Sequence, residues 1–368
     1  MEQNNIQLYN KYRPKNLSEV VGHSATIKDL QKRSKENSIP KVILLSGITG
    51  VGKTTLFRII SKNIACNDKD ENGNSCNTCS ICETIDNEKA NNFYFEENGS
   101  NLNIEKVREL VDQSEVKSFS KAKVKIFVVD EVQEMRKAQA ALNNLLKPIE
   151  KEQKNVYFIF GTMSDKDVPN AVKNRCTTYK LKPHSFEDIA GQLYKICSLE
   201  NVQIDNNDKA DVLLTIAENS YGSLRQAISY LERVIYSELW TVNEVIKELD
   251  IVSNSELIKS LNYLFNGDSK AFDLEFNKEL VDKIRYTLGT AYKVKSGIEV
   301  PKWQLIQLQG FDKNISSDYI MYALEKLFDL NKYPYINQEI LDYTFVDIFN
   351  NIKHMMEHIK ESPPRRRR

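Results

Sequence analysis

Gly47-Ile48-Thr49-Gly50-Val51-Gly52-Lys53-Thr54 matches the phosphate-binding pattern GxxxxGK[ST] at every position. The preceding Lys41-Val42-Ile43-Leu44-Leu45-Ser46 reads as a buried strand, and Thr54 to Ala65 carries apolar residues at helical spacing. Strand, loop and helix in that order are the context the motif needs. Glycines at 47, 50 and 52 let the backbone curl so that successive N–H groups converge on phosphate oxygens at a helix N-terminus. Lys53 would then reach the β and γ phosphates of a nucleotide, with Thr54 on Mg²⁺ and Ile48, Thr49, Val51 and Thr55 completing the contacts. A plain glycine turn would explain the glycines, but not the Lys-Thr pair in register with them.

A second strand, Val124 to Val129, ends in Asp130-Glu131. A mostly apolar run ending in two carboxylates fits a strand of a parallel sheet, where ligands gather at the C-terminal edge. Asp130 is placed to hold Mg²⁺ through water, and Glu131 to polarise the attacking water. Phosphoryl transfer asks mainly for positioning and charge, so one acid on the metal side and one on the water side suffice.

Four of the six cysteines are crowded together as Cys66, Cys76, Cys79 and Cys82. The spacing Cys-x9-Cys-x2-Cys-x2-Cys can surround one tetrahedral Zn²⁺ with four thiolates. The polar segment between them, Asp68 to Ser75, has nothing to bury and would scarcely be ordered without a metal clip. With no fifth ligand or histidine nearby, the site reads as structural. Free thiols in a loop are the alternative.

At 368 residues the chain is too long for one ordinary core, and two or three domains are expected. Fifty-one basic residues balance 51 acidic ones, which excludes a uniformly cationic surface while allowing a local basic face. No apolar run approaches the roughly 20 residues that span a bilayer, and Met1 to Gln7 is polar. A cytoplasmic protein without a membrane partner is therefore expected, and too few cysteines are present for a disulfide scaffold.

From about Tyr9 to Ser237 the chain resembles the ATPase subunits of sliding-clamp loaders, the gamma/tau type of DNA polymerase III, and more distantly the small subunits of replication factor C. The resemblance is carried by the phosphate loop, the acidic strand end, and Lys11-Tyr12-Arg13-Pro14 continuing to Val20-Val21-Gly22. It is carried too by the cysteines inserted after the loop helix, by Asn174-Arg175-Cys176 and by Gly222-Ser223-Leu224-Arg225. It implies an AAA+ nucleotide-binding domain whose Tyr12, Arg13, Pro14, Val20 and Val21 lie beside the adenine. It further implies that Thr162, in the Gly161-Thr162 pair that follows the strand Val156 to Phe160, senses the γ-phosphate or attacking water. Arg175 would enter a neighbouring subunit's ATP site in trans as an arginine finger. Two departures stand out: Asn174 replaces the family serine, and Val132-Gln133 follows the acidic pair where many relatives have histidine. In Glu96 to Asn103, which aligns with a stretch that approaches DNA in relatives, Asn101 and Asn103 stand in place of cations.

Arg225 also has an argument of its own. Ser223 can cap a helix with the apolar stripe Leu224, Ala227, Ile228, Leu231, Val234 and Ile235, which puts Arg225 in the first turn. A cation there opposes the helix dipole unless an anion is near; a bound triphosphate or Glu218 would supply one.

The expected organisation is α/β: residues 1–180 a P-loop domain with a parallel sheet and the zinc module at 66–82, then 181–243 a helical lid. A helical collar that joins subunits follows at 244–360, with helices at Ser255 to Phe265, Ser269 to Leu288 and Tyr319 to Leu330, and 361–368 is a disordered arginine-rich tail. The expected function is that of an ATP-hydrolysing motor within a DNA polymerase holoenzyme, loading a sliding clamp onto primer–template DNA. Its partners would be other loader subunits in a ring or spiral, pentameric in the family. Two other readings remain open: a different AAA+ ATPase of recombination or fork rescue, and a non-catalytic loader subunit.

Overall fold

The computed structural model describes residues 7–87, 92–116, 122–138, 155–249, 251–252, 254–274, 278–300, 305, 308–333 and 336–361. The chain divides into two compact units, Met1–Val242 and Asn243–Arg368.

In the first unit five strands form one parallel sheet: β1 (Val42–Ser46), β2 (Tyr94–Asn98), β3 (Lys125–Asp130), β4 (Val156–Thr162) and β5 (Thr177–Lys180). Their spatial order is β2-β3-β4-β1-β5. Every residue of β1 is buried, as a central parallel strand covered on both faces requires. Side chains alternate between two cores. Val42 and Leu44 join Phe127, Val129, Phe158 and Phe160 on one face. Ile43 and Leu45 join Ile126, Val128, Ile159 and the helix residues Leu56, Phe57 and Ile60 on the other. Register pairs Ser46 with Thr162 and Asn98 with Asp130, so the strand ends that carry the polar groups share one edge.

Among the described residues, the α-helices of this unit longer than four residues are α1 (Ser24–Lys35), α2 (Lys53–Ala65), α3 (Ser80–Asp86), α4 (Ile104–Glu115), α5 (Phe186–Leu199), α6 (Asn207–Glu218) and α7 (Leu224–Ser237). The last three form the lid. Each starts on a side-chain cap, Ser185, Asn206 and Ser223, whose oxygen accepts from the backbone N–H three residues on. The short helix Leu8–Lys11 lies against this lid: the Leu8 N–H donates to Glu232, and Lys11 and Tyr12 both donate to Glu200.

The second unit is helical, with Asn254–Phe265, Lys278–Lys295, Ser317–Asp329 and Gln338–Glu361 around a core of Leu257, Leu261, Ile284, Leu288, Ile320, Leu327, Phe345 and Ile348. The single helix expected over Ser269 to Leu288 is not formed. Asp268 caps a short 3-10 turn, Ser269–Asp273, and Leu274 leaves it with extended backbone (φ −96°, ψ 125°), so the α-helix begins afresh at Lys278. Residues 362–368 of the expected tail lie outside the described residues. No described helix is long and apolar enough to cross a membrane. The α/β class expected from the sequence, a parallel sheet followed by helices, is the one that forms.

Candidate functional site

The loop after β1 turns into α2 through Gly50 (φ +77°) and Gly52 (φ +104°), conformations in which a side chain is strained. Gly50 is also crowded: a Cβ there would lie 2.0 Å from Ser223 Oγ, the cap of lid helix α7. The lid therefore abuts the loop, and the Arg225 N–H approaches the Gly50 carbonyl at 3.5 Å. Lys53 is buried, and its Nζ donates to the carbonyls of Gly47 (2.7 Å) and Ile48 (3.1 Å). Burial holds its pKa below the usual lysine range, and the nearby charges of Asp130 and Glu131 act the other way.

Asp130 accepts from the Glu131 N–H at 2.9 Å and is hydrogen-bonded to Thr54. Burial raises its carboxyl pKa. Gly161 makes room for it, since a Cβ there would meet Asp130 Oδ1 at 2.3 Å. A hydroxyl and a half-buried carboxylate in mutual contact are the hard oxygen donors that suit Mg²⁺, so Thr54 and Asp130 fit that ion. Glu131 stands at φ +52°, and its Oε2 accepts from Asn98 Nδ2 at 3.2 Å.

A cavity of about 400 Å³ lies over this edge. It brings together Tyr12, Arg13, Pro14, Val20 and Val21 with Thr49 to Thr55, Asp130, Glu131 and Arg225. Tyr9, Arg58, Asn98, His184, Gln192, Leu224 and Ile228 also line it, none of them given a place at a nucleotide from the sequence. The Arg225 guanidinium lies 4.7 Å from the Tyr9 ring centre and donates to its hydroxyl. Arg13, Arg58 and Arg225 are close enough for the last two to lower the Arg13 pKa, after burial as the main cause. Three guanidinium groups around one cavity favour a polyanionic ligand.

Gly47 and Ile48 underlie the loop through their carbonyls rather than lining the cavity. Thr162 is fully buried, and its hydroxyl is engaged by the Ser164 backbone, donating to the carbonyl at 2.9 Å and accepting from the N–H at 3.2 Å. Arg175 follows the short helix Asn170–Lys173, is exposed, and is not part of the cavity on its own chain. Asn103 Oδ1 accepts from the Lys106 N–H as the cap of α4, so that amide oxygen serves the helix. Asn101 lines an adjoining groove of about 480 Å³ beside β2 and α4, which shares Asn98 and Asp130 with the cavity.

The four cysteines meet. All four Sγ atoms lie within 4.8 Å of one another, with 3.6 Å for Cys66–Cys76 and Cys79–Cys82 and 4.0 Å for Cys66–Cys79 and Cys76–Cys82. A tetrahedron with Zn–S bonds of ~2.3 Å has edges of about 3.8 Å, so the set fits Zn²⁺. Backbone N–H groups of Thr78 and Cys79 lower the Cys76 thiol pKa to about 6, while burial raises those of Cys66 and Cys82.

Comparison with known proteins adds the following. The family model described as DNA polymerase III, delta subunit, matches residues 22–185, and the RCF1/5-like AAA+ ATPase lid domain matches residues 192–234. The DNA polymerase III subunit gamma/tau of Mycoplasma genitalium is 30% identical over 270 residues, 72% of this chain and 44% of that protein. The DNA polymerase III subunit gamma of Buchnera aphidicola subsp. Baizongia pistaciae is 29% identical over 271 residues, 73% of this chain and 71% of its own length. The chain thus spans less than half the length of the first relative. Among solved structures, the Thermotoga maritima RuvB Holliday junction branch migration motor aligns at 18% identity with a TM-score of 0.49, over 87% of this chain and 91% of its own.

Proposed function

Because the chain belongs to the family of DNA polymerase III gamma/tau subunits, with an AAA+ fold, we propose that it is the ATP-hydrolysing motor subunit of a sliding-clamp loader. One observation carries this reading. A single cavity unites the phosphate loop, the Thr54–Asp130 pair, Glu131 and the lid residue Arg225, while exposed Arg175 lies outside it. This supports reading the cavity as an ATPase centre that Arg175 of a neighbouring subunit completes.

The loop amides and Lys53 hold the β and γ phosphates, for which Lys53 exchanges its two loop carbonyls. The segment Tyr12 to Pro14, with Val20 and Val21, walls the base. Thr54 and Asp130 hold Mg²⁺, which when bound neutralises charge on the transferred phosphoryl. Glu131 takes the proton of the attacking water once it leaves Asn98, and Thr162 turns from Ser164 to orient that water or the γ-phosphate. Arg225 reports the triphosphate to the lid, and Arg175 of one subunit completes the site of the next. In this reading residues 1–180, 181–243 and 244–360 are motor, lid and collar. The cysteine module holds a structural Zn²⁺, and the partners are loader subunits, the clamp and primer–template DNA.

ATP turnover tests this, measured for the chain alone and with companion loader subunits, primed DNA and a clamp. Turnover that rises with DNA and clamp is expected, and Lys53→Ala should lower it at least a hundredfold, in line with loss of a phosphate ligand in the transition state. Turnover stimulated by DNA but indifferent to any clamp would favour a fork-rescue ATPase. No turnover in the full assembly would favour a structural subunit, whose site has no need of Lys53, Thr54, Asp130 and Glu131 together.

A further inference from the structure

Two imidazoles converge on one carbonyl of the phosphate loop. His23 Nε2 lies 3.1 Å and His184 Nε2 3.2 Å from the Val51 oxygen, with the rings 4.8 Å apart and tilted by 53°. A carbonyl only accepts, so both Nε2 atoms carry the proton. His23 is half-buried at φ +50°, immediately before α1, and His184 is buried where the chain enters the lid. The His184 backbone N–H donates to the Gly222 carbonyl at 3.0 Å, three residues before Arg225. The other ring nitrogen of His184, Nδ1, is buried with no hydrogen-bond partner among the described residues, a cost that an apolar side chain of similar size would avoid. Something other than packing therefore keeps an imidazole there.

The peptide plane says what that is. In a planar trans peptide the Val51 C=O and the Gly52 N–H point in opposite directions. Donors that fix the carbonyl on one side fix the amide on the other, and Gly52, at φ +104°, has no conformational restraint of its own. We propose that His23 and His184 are positioning residues of the phosphate loop, clamping the Val51 carbonyl outward so that the Gly52 N–H stays aimed at a bound nucleotide's phosphate. Two donors on one oxygen also polarise that amide, strengthening it toward an anion. The clamp takes one imidazole from the N-terminal segment and one from the start of the lid, so loop geometry is tied to both walls of the cavity. It rests on the nucleotide-binding reading above.

The test uses the full chain, a fluorescent ATP analogue with Mg²⁺, and melting of the ligand-free protein. The double variant His23→Phe/His184→Phe removes both donors, whereas His23→Gln/His184→Gln keeps an N–H where each Nε2 stands. The Phe pair should bind the analogue roughly tenfold more weakly, given about fivefold per net hydrogen bond and incomplete additivity. The Gln pair should return to within about threefold of wild type while melting no higher than the Phe pair. Unchanged binding in the Phe pair, or Gln variants as weak as Phe variants, overturns the clamp alone. Wild type that binds no nucleotide overturns the proposed function and the clamp with it. Should the Phe pair not fold, the single Phe variants and the Gln pair decide by the same criteria.

Discussion

Glu131 sits in the left-handed region, where a non-glycine residue costs about 1–3 kcal/mol. The position immediately follows a strand whose last residue, Asp130, accepts the Glu131 N–H, so the strain aims the carboxylate across to Asn98. If Glu131 is the general base, that bond holds it away from water. Asn98→Ala should then raise ATP turnover in the absence of DNA several-fold and reduce the further stimulation that DNA gives, whereas Glu131→Gln should bind ATP and turn it over at least a hundredfold more slowly. An Asn98→Ala protein with wild-type basal turnover would show that the bond does not restrain catalysis. The loop histidines carry a pH prediction. Burial, then His23, lowers the His184 pKa to about 4 from an ordinary 6.5, and burial lowers that of His23 as well. The unfolded chain binds more protons between those values, so this stability is complete above about pH 6.5 and lost as pH falls toward 4, by about 3 kcal/mol for His184. Denaturant unfolding of wild type and His184→Phe at pH 7.5 and 4.5 measures it: the wild type should lose more, by roughly that difference. Lys53, Thr54 and Asp130 were legible in the sequence because local spacing defines them. Asn98, Tyr9, His23 and His184 were not, because only the β2–β3 register and the folding of remote segments onto the loop give them partners.

Helix α2 joins two sites: its N-terminus is the phosphate loop, and Cys66 follows directly on its last turn. The cysteine loop is sewn to this helix by polar bonds. Buried Lys62 donates to Asn77 at 2.7 Å and pairs with Asp86 at 3.0 Å, and Asn63 accepts from the Ser75 N–H at 3.0 Å. Asn77 in turn donates to Asn16, two residues after Pro14 of the cavity wall. These bonds place the loop, and the four thiols it brings together stand at a spacing that suits zinc. Native protein should contain about one zinc per chain by elemental analysis. Stripping it with a chelator should lower the melting temperature by several degrees and expose 66–82 to protease, with recovery on adding zinc. Metal-free native protein of unchanged stability would overturn the assignment. At this scale, spacing alone revealed the cysteine cluster and the lid helix that Ser223 caps, whereas the Ser185 and Asn206 caps emerged only in the structure. The broken helix after Asp268 escaped, because an apolar period runs on through a turn that one capping side chain imposes.

Across the whole molecule, the cavity has its own phosphate loop, acids and lid arginine, yet Arg175 lies exposed beyond the helix Asn170–Lys173 and lines no part of it. In the proposed mechanism the last positive charge for phosphoryl transfer is the Arg175 guanidinium of another copy or another subunit. Binding and hydrolysis should therefore separate by assembly state. Arg175→Ala alone should bind a fluorescent ATP analogue within about twofold of wild type, because the missing guanidinium does not belong to that cavity. Mixed with companion subunits, primed DNA and clamp, the variant should lose DNA-stimulated turnover by 10³-fold or more, on the scale of an arginine finger supplied in trans. A mixing experiment fixes the direction: pairing Arg175→Ala with Lys53→Ala chains restores the one interface in which an intact pocket meets an intact finger. Partial recovery of turnover in that mixture is expected if the finger acts across subunits. Full DNA-stimulated turnover by Arg175→Ala assemblies, or no recovery in the mixture, would place the completing cation elsewhere and return Arg175 to the solvated surface.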